Sequence, residues 1–190
     1  RIFGYSSADC GLGGSNGNPT ESYGVRAFND AGSHELDVHS NNIDAGGPTT
    51  GVANTCNGRA LAIDIGPVVP GSAMGIFRNN ILRAGTCTMS RYDVLESNNV
   101  ADPRIFENND LDPTGTPTAL YRDEAMNDLD ITEVNTLLGA LVSANLSVDP
   151  KFVNYPADFH LQATSQCIGA GTPTGIPLTD FEGTPRDLAK

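Results

Sequence analysis

A short polar phrase recurs along the chain and constrains its fold more than any other feature. The copies read VHSNNI at residues 38–43, IFRNNI at 76–81 and IFENND at 105–110, with a degraded copy, LVSANL, at 141–146. The last asparagine recurs after 38 residues (42 to 80), 29 residues (80 to 109) and 36 residues (109 to 145). A unit of about thirty residues with loops of variable length is typical of a solenoid.

A second phrase precedes each copy of the first. It occupies residues 25–29, 60–64, 92–96 and 119–123, and it shows the partial alternation of a half-buried strand. Its last residue recurs after 35 residues (29 to 64), 32 residues (64 to 96) and 27 residues (96 to 123). Each repeat therefore contributes at least two short strands with a bend between them.

Stacking of the repeats would pair equivalent strands in parallel at about 4.8 Å, because one repeat alone cannot bury its apolar side chains. The first phrase then predicts an inward column of Val38, Ile76, Ile105 and Leu141. It also predicts an asparagine ladder at a turn, formed by Asn42, Asn80, Asn109 and Asn145. Asparagine suits this place because it tolerates the left-handed conformation of a tight bend and its amide can bond to the amides above and below it.

One helical signal interrupts the last repeat. Asp130 is a candidate N-cap, and Glu133 stands at the third helical position, as in a capping box. The apolar residues on one face are Ile131, Val134, Leu137 and Leu138. The pattern predicts a short helix near residues 131–141 on the flank of the solenoid.

Net charge and cysteine usage limit the partners and the compartment. The net charge of −12 disfavours nucleic acid and anionic membrane surfaces, and no apolar run is long enough for membrane insertion. Four cysteines lack the CxxC spacing of a zinc site, so we expect disulfides and secretion. Cys56 and Cys87 fall near the same place in adjacent repeats, which makes them the first choice of pair. Cys10–Cys56 with Cys87–Cys167 is the alternative.

Residues 149–190 carry a series of ordered motifs. They read DPKFVN from 149, DFHLQ from 158, SQCIGAG from 165 and DFEGTPRD from 180. This order resembles the C-terminal ends of secreted bacterial right-handed parallel β-helix proteins, which often read D-P-x-F-V, D-F-x-L, S-P-x-I-D-A-G and D-x-x-G-x-P-R. The resemblance covers residues 118–190, with Gln166 where proline is usual and Gly169 where aspartate is usual.

The resemblance implies an all-β chain folded as a right-handed, single-stranded parallel β-helix of about five coils. Residues 1–148 would form the coils, and residues 149–190 the last coil and an irregular capping tail of the same structural domain. Nothing near Arg1 reads as a cap. Exposed strand edges invite pairing, so we expect the N-terminal edge to meet missing upstream coils or another subunit.

The resemblance also implies work related to polysaccharides, since proteins of this kind include lyases and hydrolases as well as adhesins and surface proteins without catalysis. The small set of coils and the lack of a convergent catalytic cluster favour a secreted or cell-surface protein with a structural, adhesive or glycan-binding role and no catalysis. The partner would be a polysaccharide or another protein chain. The alternative is part of a polysaccharide lyase or glycoside hydrolase that acts on acidic glycans, because the fold alone does not decide between these activities.

Catalysis would require carboxylates or a base in one cleft. Asp64, Glu96 and Asp123 end successive copies of the second phrase, so the spacing predicts an acidic column. Arg91 is the candidate base for a lyase.

Two further groups are candidates for ligand binding. Arg78 and Glu107 occupy the same place in successive phrases and should pair, and with Ser40 they form the outward binding candidates. Carboxylates also crowd into loops at Asp110, Asp112, Asp123 and Asp128. Calcium is the cation these oxygens would favour, although no EF-hand loop is present and no cofactor follows from the sequence with certainty.

Overall fold

The computed structural model describes residues 20–29, 37–46, 56–65, 75–97, 102–124, 127–137, 142–180 and 182–187. Within these segments the protein is all-β, with parallel sheets and one short α-helix. Arg1, Cys10, Leu138 and Leu141, which the sequence predictions also used, lie outside the described residues.

The strands are short, apart from the first strand of each of the first two repeats. They are β1 Thr20–Asn29, β2 Asp37–His39, β3 Asn42–Asp44, β4 Cys56–Ile65, β5 Ile76–Arg78, β6 Ile81–Arg83, β7 Arg91–Glu96, β8 Ile105–Glu107, β9 Asp110–Leu111, β10 Ala119–Asp123, β11 Asn127–Leu129, β12 Val142–Ser143, β13 Phe152–Asn154 and β14 Asp158–Leu161. A 3₁₀ helix spans Pro113–Gly115, and helix α1 spans Ile131–Val134.

From β1 to β10, strands that follow one another in the chain enter three different sheets, and every third strand returns to the same sheet. The first sheet has the order β1-β4-β7-β10-β11, the second β12-β8-β5-β2 and the third β3-β6-β9. All neighbours in these sheets are parallel except β10 and β11. Each group of three strands is therefore one repeat laid on the next.

The second phrase forms the first sheet, but its register differs from the prediction by one residue. Asp64 lies opposite Phe28, whereas Ile63 lies opposite Glu96. Tyr121 lies opposite Val94, which brings Asp123 opposite Glu96. Glu96 and Asp123 therefore lie side by side, as predicted, whereas Asp64 is one residue out of register with them.

The asparagine ladder also starts one residue earlier than predicted. The ladder consists of Asn41, Asn80, Asn109 and Asn145. Asn42 is instead the first residue of β3, and it is exposed. The slip arises because Ser40 takes the bend position that asparagine or alanine occupies in the other repeats.

The bend position has its own conformation. Ser40, Asn79, Asn108 and Ala144 each have φ of 54° to 55°. This left-handed region is costly for most residues, and asparagine is among the side chains that visit it most readily. In the Asn-Asn phrase of residues 79–80 and 108–109, the first asparagine therefore makes the bend and the second joins the ladder.

The inward column lies one residue beyond the predicted positions in three of the repeats. Val38, Phe77 and Phe106 are wholly buried and Val142 is 2% exposed, whereas Ile76 and Ile105 are only partly buried. The prediction for Val38 was correct. Val38 pairs with Phe77, Phe77 with Phe106 and Phe106 with Val142, so these residues form the inward column. These four side chains join one core cluster with Leu61, Ile63, Leu82, Val94, Leu111, Tyr121 and Val134.

The far end of the stack is closed by β11 and α1. Asp130 accepts from the backbone N–H groups of Thr132 and Glu133, and Glu133 accepts from Asp130 N, which completes the predicted capping box. Helix α1 is shorter than expected, and it buries Val134 at the end of the core rather than along the flank. Asn135, just after the helix, accepts from Asn145 and ends the ladder.

The described part of the tail lies against the side of the stack. The hairpin β13–β14 packs the rings of Phe152, Tyr155 and Phe159 together. Farther along, Asn79 exchanges two hydrogen bonds of 2.8 Å with the backbone of Thr172, and Asn108 donates to Ala170 O at 2.9 Å. The bend asparagines therefore hold the tail across successive repeats.

Cys56 and Cys87 form the disulfide that their spacing predicts, with Cα atoms 5.1 Å apart. Cys167 is not in a disulfide, which excludes the alternative pairing of Cys87 with Cys167. Among the described residues, no helix has the length and apolar character needed to cross a bilayer.

Candidate functional site

A cleft opens where the hairpin β13–β14 meets the third sheet. Its volume is about 380 Å³, which lies within the range of small-molecule sites. The lining residues are Arg83, Thr114, Asp149, Lys151, Phe152, Tyr155, Gln162 and Thr164. They come from the end of β6, the 3₁₀ helix and the hairpin with its flanks, so only the tertiary fold brings them together.

Arg83 forms one wall of this cleft. Its guanidinium lies 4.2 Å from the centre of the Tyr155 ring, and its Nη1 donates to Asp112 Oδ2 at 2.5 Å and to Thr114 Oγ1 at 2.5 Å. Burial tends to lower the pKa of Arg83, but the charge and hydrogen bond of Asp112 outweigh that effect, so the net shift is upward and the group stays charged. The hydrogen bonds of this guanidinium to described residues are made by Nη1, which leaves Nη2 as a donor for a ligand.

Tyr155 is fixed from two sides. Its hydroxyl donates to Asp44 Oδ2, and its ring stacks on Phe152 with centroids 6.1 Å apart. Burial, followed by the bond to Asp44, raises the pKa of Tyr155 to about 12, so the phenol stays neutral at physiological pH. The ring is therefore rigid and uncharged, with the Arg83 guanidinium over it and the Phe152 ring stacked against it.

Lys151 brings a second cation to the cleft. Its Nζ lies 3.3 Å from Thr164 O, and its backbone N donates to Asp149 Oδ1 at 2.8 Å. Gln162 is tied to the same segment, because its Nε2 donates to Phe152 O at 3.0 Å. Two cations, two aromatic rings, several hydroxyl or amide groups and the Asp149 carboxylate thus surround one space, and Arg83 is already paired with Asp112. The arrangement suits a polar ligand that places a negative group near Lys151.

A second cluster lies at the end of the first sheet. Carboxylate oxygens of Glu96, Asp102 and Asp123 all lie within 4.8 Å of one another. The Glu96 side chain is completely buried, and its Oε1 accepts from the hydroxyl of Tyr121. The pKa of Glu96 is raised to about 9, chiefly by burial; the hydrogen bond from Tyr121 lowers it, and the charges of Asp102 and Asp123 together with a hydrogen bond to Asp123 raise it.

The predicted catalytic residues do not meet in one cleft. Glu96 and Asp123 are brought together, but Arg91 stands at the other end of β7, five residues and about 17 Å along the strand. Arg91 Nη1 lies 3.5 Å from Gly115 O instead. Asp64 is out of register, as described above, and a polymer could not touch the wholly buried Glu96 without a rearrangement.

The predicted binding residues lie partly under the tail. Arg78 Nε donates to Glu107 Oε1 at 2.5 Å, as their equivalent positions predict. Their side chains are only 13% and 23% exposed, and Gly175 of the tail lies close to Arg78. Ser40 serves as a bend residue, and its N–H donates to Arg78 O. The tail therefore occupies much of the surface that these residues were expected to offer.

The predicted calcium residues are dispersed. Asp110 is buried, with Oδ1 accepting from Val148 N and Oδ2 from Cys167 Sγ. Asp112 is buried against Arg83, and Asp128 lies 3.4 Å from Arg122. Asp123 alone joins a carboxylate cluster, in the company of Glu96 and Asp102.

Sequence reasoning missed the residues that line the cleft, chiefly Arg83, Lys151 and Tyr155. Arg83 does carry a signal, because it directly follows the apolar pair of β6, where a charged residue begins a corner. The sequence carried no such signal for Asp102, because this residue lies outside both repeated phrases. Comparisons with protein-family models, with curated proteins and with solved structures gave no match.

Proposed function

We propose that this chain is a set of right-handed parallel β-helix coils from a secreted or cell-surface protein, and that it binds an acidic glycan without cleaving it. The carbohydrate would lie in the cleft between Arg83 and the hairpin β13–β14. The combination of Arg83 and Lys151 with the rings of Tyr155 and Phe152 around a space of about 380 Å³ is the observation that carries the proposal.

The order of the strands supports the β-helix. The sheets contain β1-β4-β7-β10, β2-β5-β8-β12 and β3-β6-β9, so three strands per repeat stack on their counterparts. The motifs of residues 149–190 resemble the end of such proteins. A disulfide between adjacent repeats supports an oxidising compartment, because such bonds persist mainly outside the cytosol.

The chemistry of the cleft supports an acidic sugar. A pyranose offers C–H groups that pack on an aromatic face and hydroxyls that bond to amides and hydroxyls. Arg83 Nη2 and Lys151 Nζ would then meet a carboxylate, and a planar guanidinium matches that group well. The net charge of −12 repels a polyanion at long range, but salt at ~0.15 M screens this repulsion beyond about 8 Å. Short oligosaccharides are therefore the favoured ligands.

Calorimetric titration with a short galacturonate oligosaccharide and a neutral one of equal length tests this proposal. We expect saturable binding of the acidic ligand that Lys151→Gln weakens about tenfold, the effect of losing one charged contact. Arg104→Gln removes a positive charge from an exposed site outside the cleft and should bind like the wild type.

Two results would contradict the proposal. Equal binding by Lys151→Gln and the wild type would remove the cleft from consideration. Release of unsaturated or reducing ends from the oligosaccharide would favour the alternative, a lyase or hydrolase.

The proposal includes assembly at one end. Within the described segments, β1, β2 and β3 each stand at the edge of a sheet and at the same end of the stack. A strand edge that is left unpaired favours pairing with further coils or with another subunit. Light scattering measures this directly, and a stable monomer of the chain with no upstream partner would argue against it.

A further inference from the structure

We propose that Glu96, Asp102 and Asp123 form a calcium site at the end of the first sheet. The site is separate from the glycan cleft, and its residues differ from the loop carboxylates that the sequence suggested, except for Asp123.

The parallel register builds the site. Glu96 ends β7 and Asp123 ends β10, and these neighbouring strands pair Leu95 with Arg122 one residue earlier. Neighbouring strands are about 4.8 Å apart, so two side chains at the same level can share one ion. Asp102 reaches the same point from the segment that follows β7.

Glu96 carries the strongest indication of a missing positive partner. Its side chain is fully buried, its Oε1 accepts from the Tyr121 hydroxyl, and its Oε2 has no hydrogen-bond donor among the described residues, with the Asp123 carboxyl as its polar neighbour. A buried, unsatisfied carboxylate oxygen is costly, and two more carboxylates beside it add like-charge repulsion. Within the described segments, no arginine, lysine or histidine forms an ion pair with any of the three; the nearby Arg122 pairs with Asp128 instead.

The ligand set suits calcium. One oxygen from each of the three carboxylates lies within 4.8 Å of the others, so the three groups are close enough to converge on one ion. Calcium accepts irregular sets of carboxylate oxygens and completes them with water, whereas magnesium requires a near-octahedral arrangement. An irregular set of three carboxylates therefore favours calcium.

Terbium luminescence provides a direct probe of this site. The chain has no tryptophan, so tyrosine is the sensitiser, and the hydroxyl of Tyr121 is bonded to Glu96 itself. We expect terbium to bind with tyrosine-sensitised emission and calcium to displace it. Tyr121→Phe should lose most of that emission while it still binds calcium in a calorimetric titration.

Two variants test the ligands. Glu96→Gln and Asp102→Asn should each weaken calcium binding at least tenfold, and the rise in unfolding temperature that calcium gives the wild type should vanish. Glu96→Gln keeps the side-chain shape and removes a buried charge, so its fold should persist, as circular dichroism would verify. Asp128→Asn removes a carboxylate outside the site and should bind calcium like the wild type.

Several outcomes would overturn the calcium site. One is the absence of saturable calcium binding by the wild type up to about 10 mM, beyond the range of weak extracellular sites. In that case a proton shared between Glu96 and Asp123 would reduce the repulsion between the carboxylates. Undiminished binding by both ligand variants, or loss of binding in Asp128→Asn alone, would equally refute it.

Discussion

The side-chain amide of Asn80 donates to the side-chain oxygen of Asn109 at 2.9 Å, and the same amide donates to Val38 O at 3.0 Å. Asn109 repeats the pattern one level along, with donation to Asn145 Oδ1 at 3.1 Å and to Phe77 O at 3.0 Å. Asn80 and Asn109 thus each tie their own repeat to both neighbouring repeats. A polar side chain can occupy this buried position because its donors and its acceptor are all satisfied.

Asn109→Ala should destabilise the fold strongly. The change leaves Asn80 N and Nδ2 without their shared acceptor and Phe77 O without its donor in a buried place. We expect the free energy of unfolding in urea to fall by about 2–4 kcal/mol. Asn154→Ala, at an exposed strand position, should change it by less than about 0.5 kcal/mol. Similar losses for the two variants would show that the ladder contributes little.

Asn79→Gly should release the tail without disturbing the bend. Glycine adopts the positive φ of this position, so the substitution removes only the two bonds to Thr172. We expect the amide hydrogen of Thr172 to exchange with solvent roughly tenfold faster. Ala144→Gly, at an equivalent bend, is the matched control and should leave that amide protected. An unchanged rate in Asn79→Gly would mean that other contacts hold the tail.

The pH dependence of stability should contain a contribution from Asp110. Burial raises the pKa of Asp110 to about 6 from its ordinary value of 3.8. Between these values the native state holds a proton that the unfolded chain has released. The stabilising contribution of the protonated Asp110 to the free energy of unfolding is therefore fully present below about pH 4, and it is lost as the pH rises to about 6.

Urea unfolding of the wild type and Asp110→Asn at several pH values measures this contribution. The difference between the two curves should change by up to about 1.4 kcal/mol per pH unit from pH 4 to 6, and then level off. The exposed Asp128→Asn serves as the control and should run parallel to the wild type. A difference that is flat between pH 4 and 6 would show that Asp110 is already ionised in the native state.

The disulfide should be a major source of stability. It closes a loop between residues 31 positions apart, and a loop of that length contributes about 3–4 kcal/mol in the chain-entropy account. The double variant Cys56→Ala with Cys87→Ala should lose about that amount in urea unfolding, whereas Cys167→Ser should lose far less. Peptide mapping checks the pairing, and a peptide that links Cys87 to Cys167 would contradict it.

Much of the repeat architecture could be predicted from local pattern. The two phrases gave the strands of the first two sheets, and the spacing of Cys56 and Cys87 gave their pairing. The capping box at Asp130 and Glu133 was also legible, since its bonds join residues only three apart. Features of this kind depend on periodicity and on neighbours in the chain.

The register and the sites were decided by the tertiary structure. Ser40 occupies the same bend position as Asn79, and the amino-acid sequence by itself does not show this equivalence. Because Ser40 makes the bend, Asn41 joins the ladder and Asn42 is exposed. Arg83 meets Tyr155 only because the tail, which carries no period, returns to the stack. Asp102 lies near Glu96 and Asp123 although it belongs to neither repeated phrase. Alternation of apolar and polar residues along a strand predicts which side chains are buried. Only the packed neighbours determine which groups meet there, and the chemistry of both sites depends on those meetings.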